Sequence, residues 1–334
     1  MNDFPKPKDY APFLKDSDDD VSLRPKRLNE FIGQDKVRAN LHVFIQASLA
    51  RDESLDHVIL YGPPGLGKTT LASIIANEMN AAIRYLSGPS LTRSGDVASI
   101  LTTISERDIL FIDEVHRLPR VCEEILYSAM EDFALDILIG KGPGARSVRI
   151  NLPTFTLIGA TTRISLLSAP LRNRFGIIEK LDFYNQNDLS AIVTRSATVM
   201  NISIDRDASE EIARRSRGTP RIANRILKRV RDFAQFYGKT AIDKEIVRDA
   251  LDCLEIDDMG LNRIDRNLLK ILLDHYHGGP VGINNLAMML GEDAATVEEV
   301  YEPFLIKIGL LIRTPRGRMI TPQGHQYIKG KKLL

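Results

Sequence analysis

Residues 62 to 69, Gly62-Pro-Pro-Gly65-Leu-Gly67-Lys68-Thr69, fill every fixed position of the G-x-x-x-x-G-K-[ST] phosphate-binding loop. Such a loop works only between the end of a strand and the start of a helix. There its glycines let backbone N–H groups converge on an anion, and the lysine adds a positive charge aimed at the β- and γ-phosphates. Both flanks are present. Residues 57–61 (HVILY) are a short apolar run of strand character, and residues 70–79 carry apolar side chains at helical spacing. The helix dipole at that point also favours phosphate. Thr69 is placed to ligate a magnesium ion, and Thr70 follows it into the helix. A glycine-rich turn that bound nothing would need neither flank nor the Lys-Thr pair.

A second motif bears on the fate of the nucleotide. Asp108-Ile-Leu-Phe-Ile-Asp113-Glu114 is an apolar run that ends in two acids, the pattern of a fully buried parallel strand reaching the carboxyl edge of its sheet. Ligands of open α/β sheets bind along that edge. Asp113 is expected to hold the magnesium, directly or through water, as a Walker-B aspartate does. Glu114 is the candidate to orient or deprotonate an attacking water. Taken alone, the two acids could simply be the first polar residues after a core strand; beside residues 62–69 they favour a hydrolase over a passive nucleotide binder.

At 334 residues the chain is long enough for two or three domains. No run approaches the eighteen or so apolar residues needed to cross a bilayer, so no membrane role is expected. The N-terminus is polar and contains proline, unlike a signal or transit peptide. Only Cys122 and Cys253 occur, which fits a reducing compartment and argues against a zinc site or a disulfide framework. The net charge of +1 gives no global argument for nucleic acid, so any such argument must be local.

Hydropathy and turn signals divide the chain into a flexible tail (1–20), a large ATPase domain (21–182), a small α-helical lid domain (183–256) and a winged-helix domain (257–334). In the second segment, strands near 57–61, 83–87, 108–113, 154–160 and 177–181 alternate with helices. This predicts an α/β fold, a five-stranded parallel sheet with helices on both faces. Strand signals vanish from 186 to 256, and helices are expected over 187–200, 207–215, 220–237 and 243–254. From 261, the order helix (263–276), helix (284–290), helix (294–308), hairpin (310–321) is that of a winged helix.

Several short motifs follow in the order they take in the AAA+ ATPases, and the chain resembles that family. Thr156-Leu-Ile-Gly-Ala-Thr161-Thr162-Arg163 ends a strand in hydroxyls where the family carries sensor 1; spacing from Pro170 favours Thr162, with Thr161 the alternative. Pro170-Leu-Arg172-Asn-Arg174-Phe175 is similar to the segment whose arginine reaches the nucleotide of a neighbouring subunit, with Arg174 first and Arg172 second. Gly218-Thr-Pro220-Arg221 resembles sensor 2. Leu23-Arg24-Pro25 with Phe31-Ile-Gly33-Gln34 resembles the segment that wraps adenine.

Within AAA+ the strings RPKRLNEFIGQ, YGPPGLGKTTLA, GATTR, PLRNRFG and GTPRIANR, together with the winged helix, resemble the RuvB family of bacterial motors that move Holliday junctions. The resemblance covers residue 21 to the C-terminus. It implies ATP and Mg2+ as cofactors, and a hexameric ring around duplex DNA in the bacterial cytoplasm. It also implies loading by RuvA, cooperation with RuvC, and a role in DNA recombination and repair. It places Glu131, Asp132, Phe133 and Tyr184 near the nucleotide, although core packing is an equal reading of Tyr184.

Residues 135–150 form two apolar runs around a Lys-Gly-Pro-Gly tip, a hairpin outside the sheet. It either folds back on its own domain or, as the resemblance implies, docks RuvA. The wing offers Arg313, Arg316 and Arg318 with no acid between them. Arg313 and Arg318 are expected to grip DNA phosphates, with Arg316 at the tip a further candidate.

Three other classes fit less well. A protein unfoldase would carry an aromatic pore loop where residues 87–95 are polar. A winged-helix regulator would not place Glu292, Asp293, Glu298, Glu299 and Glu302 in or beside the groove-reading helix. A clamp loader would end in a helical collar.

Overall fold

The computed structural model describes residues 23–139 and 146–330; the tail at 1–20 lies outside them. Five strands build the central sheet: β1 (Val58–Tyr61), β2 (Ile83–Ser87), β3 (Ile109–Asp113), β6 (Thr156–Thr161) and β7 (Ile177–Lys180). They lie in the order β2-β3-β6-β1-β7, and every pairing is parallel. The α/β expectation holds, with strand positions shifted by one or two residues.

Alternation along the strands feeds two apolar layers. Val58, Leu60, Ile109, Phe111, Ile158 and Ala160 face one layer, whereas Ile59, Leu110, Ile112 and Leu157 face the other. The first layer continues without a break into the lid through Leu189, Val193, Ile212 and Leu227. Sheet and lid therefore share one core. The lid helices span Gln186–Val199, Arg206–Arg215, Pro220–Phe236 and Lys244–Cys253. The expectation of no strand in this region needs one correction: Ser203–Ile204 and Ala241–Ile242 pair in parallel. Two residues are too few to show periodicity.

β4 (Ala134–Ile139) and β5 (Arg146–Asn151) form the expected antiparallel hairpin. Its base belongs to its own domain, since Leu135 is buried in the second layer and Ile150 packs beside it. Val148 is exposed, and the tip at 140–145 lies outside the described residues.

The C-terminal helices Arg263–Asp274 and Ile283–Leu290, with the wing β10 (Leu311–Thr314) and β11 (Gly317–Ile320), enclose a third, separate core. The helix expected over 294–308 is broken into a short turn (Ala294–Thr296), a π turn (Val297–Tyr301) and a final helix (Glu302–Lys307). Pro303 explains the break. It has no N–H for the fourth residue back, and its ring crowds the preceding turn, so the backbone widens there. A last helix, Pro322–Gly330, was not expected from the sequence.

The winged-helix domain is fastened to the lid by a buried ion pair. Arg217 donates to Asp265, which is fully buried, and also to the Gly260 carbonyl oxygen at 2.9 Å. Asp265 additionally caps its own helix by accepting from the N–H of Asn262. Removing one partner of such a pair leaves a buried, uncompensated charge, a loss of about 3–5 kcal/mol. Asp265→Ala should therefore lower thermal stability and make the 257–262 connection readily cleaved by protease. Unchanged cleavage and melting would show that the ion pair does not hold the two domains together.

Candidate active site

The nucleotide loop leaves β1 at the carboxyl edge of the sheet. Gly62 adopts φ 146° and lies so close to Leu181, just before the lid, that a Cβ there would collide with the Leu181 carbonyl oxygen. Gly65, at φ 80°, packs against Arg221: a Cβ there would stand 3.1 Å from the Arg221 Cβ, and the Arg221 N–H donates to the Gly65 carbonyl oxygen at 3.3 Å. Glycine at both positions follows from close backbone approach as well as from conformation. The helix that follows, Lys68–Met79, begins at Gly67 with no side-chain cap, so its first N–H groups are turned toward the loop.

Lys68 is almost wholly buried. Its Nζ donates to the carbonyl oxygens of Gly62 (2.8 Å) and Pro63 (2.9 Å). Burial draws its pKa down to about 8; the negative charges of Asp113 and Glu299 oppose that fall, and the positive charge of Arg221 adds to it. Lys68, Asp113 and Arg221 thus share one electrostatic neighbourhood. Asp113 accepts from the Glu114 N–H through Oδ1 at 2.9 Å, and its Oδ2 makes no hydrogen bond among the described residues. Glu114 sits in the left-handed region at φ 50°, a conformation that non-glycine residues hold mainly where their surroundings demand it. Its carboxylate meets Arg117 at 3.1 Å and is part-exposed.

The two adjacent threonines separate clearly. The Thr161 hydroxyl shares a hydrogen bond with His116 Nδ1 (2.9 Å) and accepts from the Arg163 N–H (2.9 Å), so it is spent inside the domain. The Thr162 hydroxyl instead points outward and donates to Glu299 of the winged-helix domain at 3.3 Å. Tyr184 is buried, and its hydroxyl donates to the Leu66 carbonyl oxygen at 3.2 Å. It packs in the sheet–lid core beside Phe31, which favours the packing reading. Leu23 is buried, and its carbonyl oxygen accepts from Arg195 of the lid at 2.9 Å. Arg24 lies at the start of that same strap. Thr69 and Thr70 open the loop helix and are half-buried.

Glu131, Asp132 and Phe133 do not join the loop of their own chain. Glu131 pairs with Arg174 at 2.5 Å, Asp132 pairs with Arg149 at 2.9 Å, and Phe133 packs edge-on against Phe155. They stand on the Arg174 side of the domain. Arg174 itself is held on several sides: it donates to the Tyr127 (3.2 Å) and Pro170 (2.8 Å) carbonyl oxygens and lies over the Tyr127 ring. Arg172 is exposed, and its side chain has no hydrogen bond or ion pair among the described residues.

On the wing, Arg313 and Arg318 are not free charges. Arg318 pairs with the fully buried Glu302 at 2.6 Å and Arg313 with the same carboxylate at 2.7 Å; Glu298 lies 3.3 and 3.4 Å from them. Two arginines meet two acids, which fixes their guanidinium groups while Arg313 stays exposed. Arg316, exposed at the tip with no such partner among the described residues, is the unpaired wing cation.

Sequence reasoning missed His116, Arg163, Glu298 and Glu299 as neighbours of the site. His116 follows the carboxylate pair by two residues and could have been flagged on that ground. The two glutamates could not, because they arrive from another domain.

A donor set of one hydroxyl and one open carboxylate oxygen suits magnesium, which retains several waters and takes its remaining ligands from phosphates. No cluster of three or more His, Cys, Asp or Glu side chains able to hold a metal occurs among the described residues, so no all-protein cage competes with that arrangement. No helix among the described residues is long and apolar enough to cross a membrane.

Three family models match in succession: the Holliday junction DNA helicase RuvB P-loop domain at residues 23–181, the RuvB AAA lid domain at 184–257 and the RuvB C-terminal winged-helix domain at 258–329. Among solved structures, the Thermotoga maritima RuvB Holliday junction branch migration motor is 50% identical. The alignment covers 92% of this chain and 98% of that one, with a TM-score of 0.86. A single-substitution variant of the same protein matches at 51% identity with the same coverage and TM-score. The Aeropyrum pernix ORC2 protein shares the fold at 16% identity and a TM-score of 0.56, covering 89% of this chain and 92% of its own. On the three matched domains and these structural relatives, the chain belongs to the RuvB family of Holliday junction branch migration motors.

Proposed function

We propose that this chain drives branch migration as a hexameric ring around duplex DNA, loaded by RuvA and acting alongside RuvC in the bacterial cytoplasm. The observation that carries this reading is the meeting of the nucleotide loop, the Asp113-Glu114 pair, Thr162 and Arg221 at one edge of the sheet, in a chain that ends in a winged helix. Bound ATP with Mg2+ supplies the phosphoanhydride whose cleavage powers movement. Lys68 and the N–H groups around Gly65, Gly67 and Thr69 would cradle its phosphates, and Thr69 and Asp113 would hold the metal. Leu23 and Arg24 would border the adenine, with Tyr184 bracing the loop from beneath.

Glu114 is the group suited to taking a proton from the attacking water; its strained backbone and part-exposed carboxylate favour that role. Thr162 would read the terminal phosphate, since Thr161 is already committed. Arg174 would act in trans. The Arg174–Glu131 pair supports a shared role, with Glu131, Asp132 and Phe133 meeting the next subunit's nucleotide alongside Arg174. The base of the 135–150 hairpin is anchored in its own domain, leaving the outer part as the proposed RuvA contact. Duplex DNA would be held through Arg313 and Arg318, oriented by Glu298 and Glu302, with Arg316 at the tip a further contact.

A synthetic four-way junction with ATP, magnesium and RuvA tests the whole reading: branches should migrate with the natural chain and not with Lys68→Ala, which should fail to bind nucleotide. Glu114→Gln should still bind ATP and hydrolyse it about 10²–10⁴-fold more slowly. Near-normal turnover would remove Glu114 from its assigned role.

If Arg174 works across the subunit boundary, where such arginines contribute about 10³–10⁵ in rate, mixing Arg174→Ala with Lys68→Ala chains should restore partial hydrolysis. Rings that form from the mixture and stay inactive would point to Arg172 or to action within one chain.

On the wing, Arg316→Ala should weaken duplex binding equally across sequences and reduce the slope of log K against log salt by about 0.9. Arg318→Ala should weaken it in the same way and also destabilise the winged-helix domain, because the buried Glu302 then keeps Arg313 as its one close cation. Unchanged duplex affinity and salt slope in both variants would remove the wing as the DNA contact.

A further inference from the structure

The π turn of the winged-helix domain reaches across to the ATPase domain at the end of β6. Glu299 accepts from the Thr162 hydroxyl through Oε2 (3.3 Å), and its Oε1 lies 3.1 Å from the Arg163 guanidinium. Glu298 accepts from the same guanidinium through Oε2 at 2.5 Å. Its other oxygen, Oε1, faces Arg313 and Arg318 of the wing at 3.3 and 3.4 Å. One carboxylate thus touches both the edge of the nucleotide site and the wing. The charge of Glu299 is also felt at Lys68 and at His116, so it stands within electrostatic range of the phosphate loop.

None of these side chains is deeply buried. Arg163, Glu298 and Glu299 are each between a quarter and a third exposed, so breaking the contact costs far less than breaking the Arg217–Asp265 pair. The geometry points to a latch: Glu299, with Glu298 beside it, competes with the terminal phosphate of the nucleotide for Thr162, so that ATP binding releases the π turn from the ATPase domain. This rests on the reading of Thr162 as the residue that meets that phosphate.

The physical basis is charge. A γ-phosphate brought to Thr162 places anionic oxygens beside the Glu299 carboxylate, and like charges at that distance repel. The hydroxyl has one proton to donate and cannot serve both acceptors. ADP lacks the competing group and leaves the contact in place. The conserved volume of a glutamine substitution keeps the packing while removing the charge.

Nucleotide affinity of the full chain carrying Glu299→Gln gives the test, with ATPγS and ADP compared under the same magnesium and salt. ATPγS should bind about tenfold tighter than to the natural chain, the size of one charge-assisted hydrogen bond, while ADP affinity changes less than twofold. Equal tightening of both nucleotides would reduce the effect to general relief of negative charge and overturn the latch, as would no change in either. Limited proteolysis supplies a second reading. ATPγS should accelerate cleavage near the 257–262 connection in the natural chain, and the Glu298→Gln/Glu299→Gln chain should be cleaved fast without it. Protection that ignores both nucleotide and substitution would also overturn the latch. Thr162→Val separates the two ideas: unchanged hydrolysis in that variant would sink the sensor reading, whereas slowed hydrolysis with an inert Glu299→Gln would sink the latch alone.

Discussion

A lysine ammonium held almost out of water is the constraint around which this chain is arranged. Lys68 has two backbone carbonyl oxygens for company, which orient its protons without neutralising its charge. An uncompensated ion in such a place is expensive, and its lowered pKa records that expense. The nearby groups sort themselves by this one charge. Asp113 and Glu299 soften it, and Arg221 sharpens it. A triphosphate entering the loop meets a cation already positioned and only partly satisfied, beside the uncapped N–H groups of the helix start.

The three domains are joined in two physically different ways. Sheet and lid share one apolar core, so moving the lid exposes hydrocarbon to water. The winged-helix domain keeps its own core and is attached through polar contacts: Arg217 with Asp265, Arg163 with Glu298 and Glu299, and Lys307 resting 4.3 Å from the centre of the Phe183 ring. The part-exposed contacts of Arg163 with Glu298 and Glu299 can exchange partners at little net cost, whereas the buried Arg217–Asp265 pair and an apolar core cannot. The lid is therefore suited to small, stiff rotations and the winged-helix domain to larger displacements between alternative sets of ion pairs.

What could be read in the sequence was whatever depends on neighbours along the chain. The phosphate loop, the strand ending at Asp113 and the helices of the lid each declare themselves through spacing over a dozen residues or fewer. The preference for Thr162 over Thr161 came from spacing, and the structure adds a reason in the prior engagement of Thr161 by His116. Charge pairing was not legible. Arg318 and Glu302 sit sixteen residues apart on different elements, and only the packing of wing on helix shows that each cancels the other. Glu131 and Arg174 are forty-three residues apart, and Thr162 and Glu299 one hundred and thirty-seven. At such separations a sequence records which charges exist and not which ones meet. The Pro303 break was visible as a residue, but its result, a widened turn presenting two acids to another domain, was not.

The tightness around the loop has a mechanical consequence. Gly62 abuts Leu181 just before the lid, and Gly65 abuts Arg221 at the foot of the helix Pro220–Phe236. With no room for even a methyl group at the first contact and little at the second, there is no clearance to be taken up before a shift of the loop reaches the lid. In the language of gearing, the train has almost no backlash. That helix has seventeen residues and so is about 25 Å long; a tilt of about 10° at its foot carries its far end through about 4 Å. The far end is Phe236, 82% exposed, an aromatic side chain standing in solvent at the point of greatest travel.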